Sequence, residues 1–227
     1  MNKRLFTASL SAALLARAGA FGSPSALDGQ AGLFASHGKR ELALQVNLFE
    51  GGAEILSVYH KPVPACNFAQ TATQAALALA QGGQCRVDQI SSITIQVPSA
   101  GAQYPGCDFR GPYDHVLQAK MSIQYNVVAA LMCAGVTEAN FDLLQDPTLH
   151  ALLANTRLVT DEAMTNAYPG HQGGGVLVTL RDGRQLHERL VDVVNATPQE
   201  VGQRFRSAVQ AAMGPVHAER VCSLLDR

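Results

Sequence analysis

The chain has 227 residues, a formal net charge of -1 and a charged share of only 15%. That length allows one large domain or two smaller ones and a core that needs no staples. Near-neutral charge, with Lys and Arg scattered and not striped, excludes an electrostatic nucleic-acid binder, and no apolar run reaches the length of a membrane span.

The first residues carry two readings. Met1-Asn2-Lys3-Arg4 followed by the apolar run from Leu5 to Ala16 has the look of a signal peptide, with Ala18-Gly19-Ala20 as a possible cleavage site. The other reading is that Ser9 to Ala18 is a buried helix rich in Ala and Leu; a short helix from Leu10 to Arg17 is ended by Gly19 and Gly22. Ser23 is placed to cap a following turn with Pro24 at its first position, and Leu27, Leu33 and Phe34 are its apolar contacts. Residues 39–60 are mixed: Glu50-Gly51-Gly52 is a loop, and Ile55 to Tyr59 is β-like.

Lys61-Pro62-Val63-Pro64-Ala65-Cys66 must be extended, because prolines two apart forbid helix. Ala69 to Leu79 is a helix closed by Gly82-Gly83. Ile90 to Val97 alternates apolar and polar residues as a half-buried strand does. Residues 98–118 show little periodicity and read as a long loop, which in a compact domain is usually functional or mobile.

Ala119 to Gly135 is an almost wholly apolar helix with Gly135 as its stop, yet its first turns carry Lys120, Ser122, Gln124 and Tyr125. A polar entrance to a buried helix suggests side chains aimed into a pocket. Thr137 caps a helical segment with Phe141, Leu143 and Leu144, and Asp146-Pro147 starts another. Thr156 to Thr160 is a short strand. Val176 to Leu180 pairs with Gln185 to Leu190 across the Asp182-Gly183 turn. Thr197-Pro198-Gln199-Glu200 is a capping box that opens a helix to about Ala212, with Val201, Phe205, Val209 and Ala212 on one face. Gly214-Pro215 breaks it before a last helix. The fold class is α+β.

Five cysteines without Cys-x-x-Cys spacing point to reduced thiols in a cytoplasmic protein. His187-Glu188 lacks the second histidine of a zinc site. Gly170 to Gly175 precedes a strand where a phosphate loop would precede a helix. His60 and His115 have no partner at ligand spacing, so no metal is expected there. Two places stand out. In the first, prolines hold Lys61 and Cys66 at a fixed separation before a helix N-terminus, which favours anions; the alternative is a surface lysine on a turn. In the second, Tyr125 near Lys120 must hydrogen-bond something, whether as a site residue or as a satisfied core tyrosine.

The ordered segments Lys3-Arg4-Leu5, Leu27 to Phe34, Lys61 to Cys66, Ala119 to Tyr125, Asp182-Gly183-Arg184 and Thr197 to Glu200 together resemble the MmgE/PrpD family, which contains 2-methylcitrate dehydratase, cis-aconitate decarboxylase and iminodisuccinate epimerase. The resemblance implies a cofactor-free lyase for small di- or tricarboxylates, cytoplasmic and serving propionate metabolism. It implies a large all-helical domain and an α+β lid, commonly in a homodimer. It matches Lys61 and Tyr125 to site positions, Cys66 to a position that holds His or Cys, and Lys3 to a further site lysine. Lys61, Tyr125 and Cys66 are thus the expected catalytic residues, and Lys3, Lys120 and Ser122 the expected substrate-binding ones.

The family's N-terminal half has no counterpart in this sequence, and Phe6 stands where a histidine is common. The expected organisation is a remnant of the helical domain over residues 1–48, the lid over 49–192 and C-terminal helices over 193–227. A chain so organised is expected to be inactive alone and to associate as a homodimer or with a separate helical half. The alternatives are an amino-dicarboxylate epimerase or a non-catalytic remnant of the lid. The resemblance also makes Lys3-Arg4-Leu5 interior sequence and not a signal.

Overall fold

The computed structural model describes residues 11–27, 29–38 and 58–225. Lys3, Ile55 to Ser57 and the Glu50-Gly51-Gly52 loop lie outside the described residues. The chain divides into two compact units, Met1–Val58 and Tyr59–Arg227. In the first, residues 11–17 are helical, but Leu14 and Leu15 are exposed, so the helix is not the buried one expected. A turn follows from Pro24, and the single helical turn Leu33–Ser36 is tied back to it by Leu33 N donating to Ala26 O at 2.8 Å.

The second unit is built on a four-stranded sheet in the order β2-β1-β3-β4. The strands are β1 (Ile90–Val97), β2 (Thr156–Thr160), β3 (Gly174–Leu180) and β4 (Gln185–Leu190). β1 runs parallel to β2 and antiparallel to β3, and β3 and β4 form a hairpin. Alternation along β1 buries Ile93, Ile95 and Val97, and the register sets Ile93 beside Val178 and Ile95 beside Val176, so one face carries a continuous branched aliphatic surface. Gly183, with φ of +87°, makes the turn that joins β3 to β4.

Helix α1 (Gln70–Gln81) covers that surface with Ala72, Ala75 and Ala76, all fully buried. Small side chains let the backbones come close. At Gly174 an added Cβ would lie 2.6 Å from Ala72 N and 3.0 Å from Thr71 C, so β3 rests directly on the first turn of α1. The short helix α2 (Ser99–Gln103) follows β1. Next come α3 (Val116–Met121), α4 (Ile123–Cys133), a 3₁₀ segment (Glu138–Gln145) and α5 (Pro147–Ala154). α4 packs against α1 and α5 and is buried from Ile123 to Leu131. α6 (Glu162–Ala167) lies between β2 and β3, and α7 (Pro198–Met213) and α8 (Pro215–Leu225) pack on each other at the C-terminal end.

Three sequence expectations are corrected. Residues 98–118 are not one loop: they hold α2 and the start of α3, both too short to show periodicity. The apolar helix from 119 is broken in two. Ser122 leaves the helical region (φ -68°, ψ 121°), and its hydroxyl accepts from Tyr125 N at 2.9 Å as the N-cap of α4. The stop is not Gly135 but Ala134, which takes the left-handed conformation at φ 47°. The segment capped by Thr137 forms with its box to Asn140, as a 3₁₀ helix. The Thr197–Glu200 box caps α7 as read, but that helix buries no residue and Phe205 stays 40% exposed.

Gly174→Ala should cost about 1–3 kcal/mol, because the clash is with backbone and no rotamer relieves it. Ser122→Ala, which strips the cap and a buried hydrogen-bond centre, should cost about 2 kcal/mol. Urea unfolding of the purified variants measures both.

Candidate functional site

The stretch from Lys61 to Cys66 is not the extended path expected: it bends over residues 62–65, where Ala65 N donates to Val63 O at 2.8 Å in a tight turn about Pro64, and it has no ladder partner for its backbone. One side chain supplies the partners. Gln70, fully buried at the start of α1, accepts from Val63 N at 3.0 Å and donates to Val63 O, Ala65 O and Cys66 O at 2.9, 3.1 and 3.1 Å. Val63 plugs the core at 2% exposed. From α7, Arg204 Nη1 donates to Lys61 O at 2.6 Å and to Pro62 O at 3.2 Å. Lys61 itself is exposed, and its Nζ reaches Ala65 O at 3.3 Å, so the ammonium folds back over the loop that carries it.

Cys66 caps the short 3₁₀ turn Asn67–Ala69 that runs into α1. Its backbone N donates to Lys120 O at 2.8 Å, and its Sγ lies 3.6 Å from the Sγ of Cys107. The Cys107 thiol, donating to this sulfur, is the largest influence on Cys66. Burial opposes it, while the Phe68 backbone and the Lys61 charge assist. The net result holds the Cys66 thiol down at about 6. Cys107, fully buried, is pushed up by the bond it gives to Cys66 and by desolvation. The contact therefore pushes the two thiols in opposite directions, the half-buried one down and the fully buried one up. All five cysteines are unbridged.

Beyond the loop a polar network binds it to the sheet. Tyr59 OH donates to Asn67 Oδ1 at 2.5 Å, and Asn67 and Gln172 exchange bonds of 2.8 and 2.6 Å. Gln172 N donates to Asp192 Oδ1 at 3.0 Å, and His171 Nδ1 lies 3.2 Å from Asp192 Oδ2. The glycine-rich stretch is a loop only as far as Gly173, since Gly174 and Gly175 already belong to β3, and the loop's contribution is Gln172. A cleft of about 400 Å³ runs beside Pro62, between Gln74 and Leu77 of α1 and Gln203 and Arg204 of α7.

The expected site residues fall into two groups. Lys61 and Cys66 share the loop, and Lys120 meets them through its carbonyl. The Lys120 ammonium is engaged elsewhere, 2.8 Å from Glu138 Oε2 and 5.0 Å above the Phe141 ring. Tyr125 and Ser122 are fully buried. The Tyr125 phenol donates to Asn140 O at 2.9 Å, and its ring lies edge-on to Tyr113 and stacked on Phe141. Burial pushes this phenol well up, so it is a hydrogen-bond donor and not a phenolate. Ser122 serves Tyr125 N, Phe109 O and Tyr113 OH. Both have the surroundings of satisfied core residues, in place of the pocket mouth that the sequence suggested.

Sequence reasoning missed Gln70, Cys107 and Arg204. Cys107 is 41 residues from Cys66, and no spacing rule links them. His60 and His115 are exposed. Among the described residues, no group of three His, Cys, Asp or Glu side chains is set to hold a metal ion, and no single helix is long and apolar enough to cross a membrane.

A small mixed sheet beneath helices, entered through a Lys-Pro-x-Pro-x-Cys loop, defines an α+β domain of the kind the motifs implied. The chain belongs to the MmgE/PrpD family: residues 63–220 match the model of the MmgE/PrpD C-terminal domain. The match takes in the sheet, α1 to α7 and most of α8. No curated protein matches the sequence.

The depressed Cys66 value fixes a sign. The ionised thiol favours the fold fully above the ordinary thiol value of about 8.5, and that contribution is lost as pH falls through about 6. Alkylation of Cys66 by iodoacetamide should therefore be half-maximal near pH 6 and level by pH 8. Cys133, pushed up by burial and Asp146, should still be accelerating there. Peptide mass spectrometry over a pH series separates the two profiles, and an ordinary thiol profile at Cys66 would refute the assignment.

Proposed function

We propose that this chain is the α+β part of a cofactor-independent lyase, a dehydratase or decarboxylase, for small di- or tricarboxylates such as 2-methylcitrate or cis-aconitate. The observation that carries the reading is the pairing of an exposed ammonium, Lys61, with the half-buried Cys66, whose thiol is held below its ordinary range, on one loop held by Gln70 and Arg204. Lys61 binds a substrate carboxylate. Cys66 takes a proton from the carbon next to a carboxylate. Lys61 offsets the charge that develops there, and in a dehydration the hydroxyl on the neighbouring carbon departs with the proton that Cys66 took, as water; in a decarboxylation carbon dioxide departs instead, leaving its bonding electron pair on carbon, and the Cys66 thiol supplies the proton that carbon takes up. Lys120, Ser122 and Tyr125 enter as the groups that fix the loop from below: Lys120 through its carbonyl, the other two by holding the start of α4.

Phe205, Met213, Val216 and Leu224 on α7 and α8 are exposed apolar side chains. They support the partner expectation, an all-helical domain or a second copy over this face. A reading as a binding module without turnover is favoured by one observation, the enclosure of Tyr125 and Ser122. Incubation with 2-methylcitrate or cis-aconitate in deuterated water separates the readings. Product formation marks a lyase active in this chain alone, and substrate deuteration without product marks an epimerase; with neither, calorimetric binding of the same acids marks a lyase part that needs its helical half, and no binding marks the module.

Calorimetric titration with 2-methylcitrate tests the loop directly. Lys61→Ala should weaken binding by about tenfold, the loss of one charge-assisted contact worth about 1.4 kcal/mol. Unchanged affinity would remove Lys61 from the site.

A further inference from the structure

Two sulfurs that approach within 3.6 Å without a bond are unusual company for a residue pair 41 positions apart. Neither arrives by chance of a mobile loop. Cys66 N is fixed to Lys120 O at 2.8 Å, and Ile123 N is fixed to Cys107 O at 3.0 Å. The two cysteines are thus stapled to the last residues of α3 and the first of α4, on either side of the Ser122 break. Cys107 is held further by its own N donating to Tyr104 O at 3.0 Å, after Gly106 at φ +84°. Cys66 is half-buried and reachable, whereas Cys107 is fully buried behind it. That is an attacking thiol in front of a resolving one. Closing the contact to a bonded distance of about 2.05 Å asks for a shift of about 1.5 Å between two loop positions.

We propose that Cys66 and Cys107 form a reversible disulfide on exposure to a low-molecular-weight disulfide, and that this takes the Cys66 sulfur out of service. In the first step the Cys66 sulfur attacks one sulfur of R–S–S–R, forming Cys66 S–S–R and releasing R–S⁻. In the second, the Cys107 sulfur attacks the Cys66 sulfur and releases a second R–S⁻, which carries off the Cys107 proton. Each thiolate released picks up a proton. Two protein thiols are oxidised and one external disulfide is reduced to two thiols. Lys61 stays on the loop, but its thiol neighbour is gone. The bond is independent of the substrate reading, because it is read as a covalent link and not as activity.

The test treats the full chain with oxidised glutathione under native conditions, blocks remaining thiols with N-ethylmaleimide and maps peptides without reductant. The expected result is a Cys66–Cys107 linked peptide, lower in mass than its two free parts by two hydrogens and abolished by dithiothreitol. Cys107→Ala should stop at a stable glutathione adduct on Cys66, and Cys66→Ser should leave Cys107 unmodified. The wild-type map needs no variant to fold. Recovery of wild-type Cys66 as the glutathione adduct alone, as a free thiol, or linked to Cys85, Cys133 or Cys222 would overturn the proposal.

Discussion

The hydroxyl of Ser122 is the interaction on which the rest of the site depends. By accepting from Tyr125 N it ends one helix and begins the next, and the backbone on either side is released from helical pairing. Lys120 O and Ile123 N are the groups set free, and each is taken up by the backbone of a cysteine. An uninterrupted helix would have kept both inside its own ladder. The same oxygen bonds Phe109 O and Tyr113 OH, so the loop that carries Cys107 is drawn to the same point. A polar centre with this many partners, buried completely, is stable only when all are present.

Much of the frame was legible because it is local. β1, β2 and the β3–β4 hairpin follow from alternation and from Asp182-Gly183, and α7 begins at its capping box. α1 was read to within two residues at its C-terminal end. What escaped was set by contacts distant in sequence. Ser122 looks like one more polar residue in an apolar run until Tyr113 and Phe109 are beside it. Gln70 looks like an ordinary first-turn residue until a proline-rich loop with no ladder folds over it.

Tyr125 shows the limit most clearly. An apolar helix containing a tyrosine states that its hydroxyl needs a partner, not which partner. Asn140 O, from the 3₁₀ segment beyond the helix, answers the question, and the Tyr113 and Phe141 rings fill the space around it. The Lys61–Cys66 segment was legible for the opposite reason. Its prolines exclude helix whatever surrounds them, so the placement of a cation and a thiol before a helix start could be read without the fold, while the bend over residues 62–65 that Gln70 holds could not. The state of that thiol could not, since Cys107 decides it.

The two ends of this loop are held by very different bodies. At Cys66 the anchor is a buried glutamine and a helix junction inside the core. At Lys61 the anchor is Arg204, on a helix that buries none of its own residues. The loop is therefore a cantilever: its sulfur end is clamped, and its ammonium end is only as still as the surface helix that props it. Whatever settles on α7 sets how steadily Lys61 is presented, while the sulfur end keeps its place.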